Sequence, residues 1–391
     1  MARARELGPA IEAAADEIER TQRIPKPLLS RLHTARLCRM LLPRSVDGDE
    51  AEPWVYLRAI EEISRHDGSV GWNVFVANSS ALIAPFLAPD AMRTIFADPR
   101  AIVAWGPPNA SKAIAVPGGY RVTGRWAYSS GSPYGSHFIA TSMGPLPDGR
   151  MAVLAPIVPM EQCTVVDDWG GDNSIGLRAS GSNTVVVDDA FVPDHLVVDG
   201  NWLGAKHPPE GPQGFLVHKA PMYLGRTMTI YYGELAALLV GAARASVVEF
   251  ERLTREKSTP LPPVIPRTES PDYLRWLGQA RRKTNAAEAL VFALARRYRE
   301  LGERFIAEGV PFTIADDDGL RNLALQAQEL ATEAVELCFR RAGASSTKPG
   351  SVLERAFRDV SLAATHPAAN LEDAAEMSSR LQLGLPVEFI H

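Results

Sequence analysis

Cysteine is scarce in this chain of 391 residues: Cys38, Cys163 and Cys338 stand far apart and form no CxxC pair. That excludes the disulfide framework of a small secreted domain and fits a reducing compartment. An excess of positive charge is missing too. Lys and Arg number 41 against 46 Asp and Glu, a formal net charge of −5, so there is no basic surplus to neutralise nucleic-acid phosphates. Long hydrophobic runs are lacking: stretches such as 235–243 fall short of the roughly 18 to 20 apolar residues that a membrane span requires. No apolar signal core follows the first residues, because Glu12, Asp16, Glu17 and Glu19 interrupt it; a cytoplasmic location is expected. The histidines, His207 and His391 among them, show no i,i+4 pair and no HExxH, so no metal site is expected. GxGxxG and P-loop motifs are also absent, and with them any written site for a nicotinamide.

What is present falls into three zones. The first is helical, residues 1–100: apolar positions mix with charges at helical spacing over 11–20, 27–36 and 54–64. Asp67-Gly-Ser carries helix-capping residue types, and Pro89 opens a short helix through Phe96. The second zone, 101–205, takes 13 of the 30 glycines within 101–200 and replaces helical patterning with β-branched runs at 113–116, 120–126, 138–142, 151–158, 184–187 and 191–192. Turn residues between those runs predict an antiparallel β-barrel or sandwich. In the third zone, 215–391, helices are predicted over 232–256, 273–307 and 319–341, with a proline-rich break at 259–266. The first of them places Leu235, Leu238, Leu239, Ala242, Ala245 and Val248 on one face. Alanine-rich helices of this length predict a four-helix bundle. The fold class is α+β.

Local motifs then carry a resemblance. Residues 119–131, GYRVTGRWAYSSG, resemble the β-domain segment that lines the flavin ring in the acyl-CoA dehydrogenase superfamily. Residues 176–193, GLRASGSNTVVVDDAFVP, are similar to its G-x-R-x-S-x-S stretch. Ser69-Val-Gly-Trp-Asn73, Gly343-Ala-Ser, 353–359 and His366 resemble one branch, the reduced-flavin-dependent monooxygenases. The resemblance implies the oxygenase component of a two-component system. It would use reduced FMN or FAD from a separate flavin reductase, form a flavin hydroperoxide with O2, and oxygenate a small, aromatic substrate as a homotetramer. Two alternatives are a dehydrogenase of acyl-CoA thioesters and a non-enzymatic flavin- or ligand-binding member. Against the dehydrogenase, Glu372, Asp373 and Glu376 lack the glycine-rich context of its catalytic carboxylate, and Thr365-His366-Pro367 stands in that region.

For individual residues, the resemblance implies that Ser130 hydrogen-bonds the flavin N5 edge and that Tyr128, Ser129 and Trp126 line the ring. Alternation along a strand places Trp126 and Tyr128 on one face. His366, able to donate or shuttle a proton, is the expected catalytic partner of Ser130. Trp105, Asn109 and Asn78 are the expected substrate residues, Asn109 with the alternative of stabilising its own turn. Arg358 is expected either on a flavin phosphate or in an ion-pair lattice with Arg355 and Asp359. Arg178 is expected to pair with Asp188 or Asp189, and Asp316-Asp-Asp318 to cap the next helix.

Overall fold

A computed structural model describes residues 1–199, 202, 211 and 213–387; His207 and His391 lie outside the described residues. Five helices come first: α1 (Ala2–Thr21), α2 (Lys26–Thr34), α3 (Pro53–Ser64), α4 (Gly68–Ala81) and α5 (Pro89–Phe96). Proline begins α3 and α5 at a position where its missing N–H costs nothing. α4 carries no charged residue and no polar face, and all 14 of its residues are buried; a helix of that kind belongs in the interior. Asp67 caps it, accepting from Val70 N–H at 2.9 Å.

Nine strands follow, β1 (Val103–Gly106), β2 (Lys112–Val116), β3 (Gly119–Ser129), β4 (His137–Ala140), β5 (Ser142–Pro145), β6 (Met151–Pro159), β7 (Cys163–Val166), β8 (Asn183–Pro193) and β9 (Val197–Asp199). Their order is β1-β4-β6-β5-β2-β3-β8-β7, with β9 on β6. The expectation of an antiparallel sheet needs correcting, because β1 with β4 and β2 with β5 run parallel. The run at 138–142 also divides: Ala140 ends β4 and Ser142 opens β5, so that β6 can pair with both.

Among the described residues six helices follow: α6 (Gln213–His218), α7 (Thr227–Glu256), α8 (Pro271–Glu308), α9 (Ile314–Ala342), α10 (Val352–Ala363) and α11 (Leu371–Gln382). α7 to α10 pack on one another as a bundle, α11 lies on α9, and α3 and α4 pack on α7. The single-face reading of α7 is too narrow. Residues 233–243 are buried all round, whereas Val248 is 60% exposed. Of the three aspartates only Asp316 helps to cap α9, in a reciprocal box with the N-cap Thr313, while Asp317 pairs with Arg226 and Asp318 accepts from Ser378. Among the described residues no helix is long and apolar enough to cross a membrane, and no group of three or more His, Cys, Asp or Glu could hold a metal.

Candidate active site

The chain end of β3 carries a bulge. Trp126 pairs with Val185 and Ser129 with Asn183, so Ala127 and Tyr128 together oppose Thr184 alone. Tyr128 absorbs the extra residue at φ 60°, a backbone region that bulky side chains adopt only under constraint. The bulge undoes the alternation. Trp126 and Tyr128 do not share a face: Trp126 is fully buried, its Nε1 donating to the Thr141 carbonyl and its ring edge-on to Phe138. Tyr128 is 72% exposed, edge-on to Trp169. Trp126 therefore cannot line a cofactor. Ser129 is also fully buried, its hydroxyl spent on the Trp126 carbonyl at 3.1 Å, and holds the bulge closed.

Ser130 points elsewhere. Its Oγ lies 2.7 Å from Ser182 Oγ, which lies 2.8 Å from Ser180 Oγ, a chain of hydroxyls with an accessible end. Gly131 N–H donates to the Ser180 carbonyl, joining the bulge to the 176–182 loop. That loop is anchored in turn to two helical domains. Asn73 of α4 donates from Nδ2 to the Ala179 carbonyl, and Ser69 Oγ accepts from Ala179 N–H. Asp359 of α10 accepts from Leu177 N–H at 2.6 Å. Gly176 is required here: a Cβ would stand 2.3 Å from the Arg358 carbonyl oxygen. Burial, reinforced by the Asp67 charge, raises the Asp359 carboxyl to about 7.

His366 follows α10 and lies deep, with Trp72 of α4 at 5.7 Å and Tyr231 of α7 at 5.6 Å between ring centroids. Phe75 closes the circuit, 4.9 Å from Trp72 and 5.1 Å from Tyr231. His366 Nδ1 accepts from Ala368 N–H at 3.0 Å and caps the short 3₁₀ turn Pro367–Ala369; Nε2 stands 3.2 Å from Tyr231 Oη. Desolvation lowers its pKa to about 4, so the imidazole is neutral at physiological pH. Buried Gln328 of α9 donates to the carbonyls of Tyr232 and Ala368, registering both walls. Below Tyr231 sits Glu234, fully buried, with Oε1 accepting from Tyr56 Oη at 2.5 Å; burial raises its carboxyl to about 8.

The two halves meet on consecutive residues of α4, Trp72 beside His366 and Asn73 beside the serine loop. Trp72 Nε1 and Asn73 Oδ1 are buried without a hydrogen-bond partner, which native interiors rarely tolerate. An indole donor and an amide acceptor are groups that a flavin's carbonyls and ring N–H can satisfy. The site fits that group.

Five further residues carry expectations. Asn78 is not at the site: it is fully buried, tying α4 to the segment that follows α2 through Leu37 O and Leu41 N–H and bonding Val74 O of its own helix. Asn109 stabilises its own turn, bonding Ser111 N–H and the Arg125 carbonyl. Trp105 donates to Thr141 Oγ1 at 2.9 Å from a half-buried position on β1. Arg358 is committed to Glu19, Glu354 and the Ile175 carbonyl, and Arg178 pairs with Glu19 rather than Asp188 or Asp189. Both belong to an ion-pair lattice joining α1, α10 and the 176–182 loop. Cations instead line a groove of about 440 Å³ on β2 and β3, where Lys112, Arg121 and Arg125 surround Asn109 and Ser111. Trp72 and Asn73 lie inside the SVGWN motif, which marks the segment without marking those two side chains, and Tyr231 and Glu234 carry no local sequence signal.

Comparison with known proteins follows the same lines. The Acyl-CoA dehydrogenase, N-terminal domain family matches residues 4–89, and the Acyl-CoA dehydrogenase, C-terminal domain family matches 234–371. The chain belongs to the acyl-CoA dehydrogenase superfamily. Within that superfamily it is 28% identical over 397 residues, 97% of both chains, to the flavin-dependent monooxygenase oxygenase subunit HsaA of Rhodococcus jostii. It is 23% identical to the FADH(2)-dependent resorcinol hydroxylase oxygenase component of Rhizobium sp., covering 95% of this chain and 91% of that one. The structure of XiaF from Streptomyces sp. in complex with FADH2 and glycerol superimposes with TM-score 0.88 at 26% identity, over 98% of this chain and 94% of that one.

Proposed function

We propose that this chain is the oxygenase component of a two-component flavin-dependent monooxygenase, acting on a small aromatic substrate with reduced FMN or FAD delivered by a separate reductase. The observation that carries the reading is the ring circuit Trp72–Phe75–Tyr231–His366, joined through Asn73, the neighbour of Trp72, to the loop that holds the Ser130 hydroxyl chain, with Trp72 Nε1 and Asn73 Oδ1 buried without a partner. Aromatic walls favour a flat aromatic guest through offset and edge-on contacts. Two electrons and the activation of O2 come from the reduced flavin. This chain's residues do the rest: Ser130 offers a hydroxyl to the ring edge, Tyr128 and Trp169 flank its exposed side, and Trp72 and Phe75 exclude water. Of the groove cations Lys112 suits the flavin phosphate, since Arg121 and Arg125 pair with Asp189 and Asp168 and Arg358 with Glu19 and Glu354. A homotetramer is part of the proposal, supported by apolar side chains left on the outer faces of α7 and α8.

The dehydrogenase alternative lacks its base. Glu372, Asp373 and Glu376 are exposed on α11, and Glu234 is held protonated behind Tyr56. Rapid mixing of the reduced-flavin complex with ¹⁸O₂-saturated buffer and phenol tests the proposal. The expected result is an absorbance transient outlasting the oxidation of free reduced flavin, and a phenol-derived product carrying ¹⁸O. Purification as a yellow protein whose flavin bleaches with an acyl thioester would overturn it.

A further inference from the structure

His366 is the natural acid–base candidate, yet its hydrogen bonds leave it no such role. An N–H group donates only to a lone pair, so the bond from Ala368 N–H requires an unprotonated Nδ1. The neutral ring then carries its one proton on Nε2, the atom facing Tyr231 Oη at 3.2 Å. The direction of that bond is thereby settled: Nε2–H donates and the phenol oxygen accepts. Tyr231 keeps its own O–H for another partner. Glu234 Oε2 is not that partner, since it is buried without any hydrogen bond. Phe75 and Trp72 offer no oxygen on the α4 side. Tyr231 and His366 are each residues of intermediate burial that keep some accessible surface.

Resting on the oxygenase reading above, we propose that Tyr231 is the side chain that meets the substrate, its O–H donating a hydrogen bond to the hydroxyl oxygen of a phenol-class ligand, with His366 as a positioning residue behind it. No proton changes hands. Donation from Nε2–H polarises the tyrosine and strengthens its outward O–H, as in any chain of cooperative hydrogen bonds. The titratable groups facing the pair agree with a neutral array: Glu234 from α7 stays protonated at neutral pH, Tyr56 from α3 is its donor, and burial raises the Tyr231 phenol well above its ordinary value. From α4 the rings of Trp72 and Phe75 meet this pair edge-on.

Phenol and toluene, equal in shape and differing in the hydroxyl, separate this role from simple packing. Calorimetric titration of the flavin-free chain should show phenol binding weakened about tenfold by Tyr231→Phe, the value of one neutral hydrogen bond, with toluene binding unchanged. His366→Gln, whose amide N–H replaces Nε2–H, should restore most of the phenol affinity that His366→Leu loses. ¹⁵N spectra of the flavin-free protein should show His366 as the Nε2–H tautomer. Equal phenol affinity in Tyr231→Phe, or a proton on Nδ1, overturns the inference and leaves the oxygenase reading standing. A wild-type chain that takes up toluene and phenol alike, or neither, overturns the phenolic substrate class itself, and ¹⁸O incorporation then decides separately whether the chain is an oxygenase.

Discussion

Ser130 and Ser129 are neighbours of the same type with opposite fates, set by one extra residue in β3. Ser129 Oγ closes the bulge, whereas Ser130 Oγ heads a chain of three hydroxyls. Ser130→Ala should leave the melting temperature near that of the parent and weaken reduced-flavin binding by up to about tenfold, one neutral hydrogen bond; fluorescence titration under anaerobic conditions measures it. Ser129→Ala should instead lower stability, because the Trp126 carbonyl loses a buried partner. His366 makes a second prediction at this scale. Its pKa falls from 6.5 to about 4 on folding, so between those values the unfolded chain binds the extra proton. Stability is then present above 6.5 and is lost on acidification towards 4, by at most roughly 3 kcal/mol. Thermal melts from pH 7 to 4 should show a shallower loss for His366→Gln than for wild type.

Elements are joined here by close backbone approaches and by buried carboxyls. α3 and α7 cross so tightly that a Cβ on Gly241 would stand 2.4 Å from the Glu61 carbonyl oxygen, while one on Gly278 of α8 would meet nothing within 4 Å. Gly241→Ala should therefore destabilise by about 1–3 kcal/mol through overpacking. Gly278→Ala should stabilise by about 0.5–1 kcal/mol, through helix propensity alone. Chemical denaturation of the two variants checks both signs. The same crossing holds Glu234 against Tyr56. A carboxyl raised from 4.5 to about 8 on folding keeps a proton that the unfolded chain has lost. Its contribution is full below 4.5 and disappears as pH rises through 8, opposite in sense to His366. Glu234→Gln should remove that alkaline decline, visible as a smaller drop in melting temperature between pH 5 and 8.5.

At the scale of the whole molecule, the apolar residues left outside matter as much as those within. Leu274, Phe292 and Ile306 are 50%, 52% and 53% exposed on α8, and their separations are close to whole numbers of turns at 3.6 residues per turn, so they line one face. Val248 on α7 is 60% exposed. A monomer would hold this stripe in water, and the proposed tetramer would cover it. Light scattering at micromolar concentration should give four times the chain mass, and Phe292→Glu should shift the assembly to smaller species without unfolding the chain.

Much of this architecture was legible in the residues themselves. Period-3.6 patterning and prolines located α3, α5 and the long α7 and α8; alternation and glycine turns located β2, β3 and β6; Asp67 announced the start of α4. Those signals are local, each set by neighbours within a turn or a hairpin. Trp126, Ser129 and Asn78 are buried away from the site because a bulge or an interior helix face depends on the partner strand or helix, which no local pattern records. Tyr231 and Glu234 entered only when α7 was laid against α3, α4 and the His366 turn. The tautomer of His366, and with it the donor left free on Tyr231, was decided by a backbone N–H two residues on and a phenol 135 residues away. Sequence determines which groups exist and which local shapes they prefer; which of their protons and lone pairs remain for chemistry is settled only when packing has taken the others.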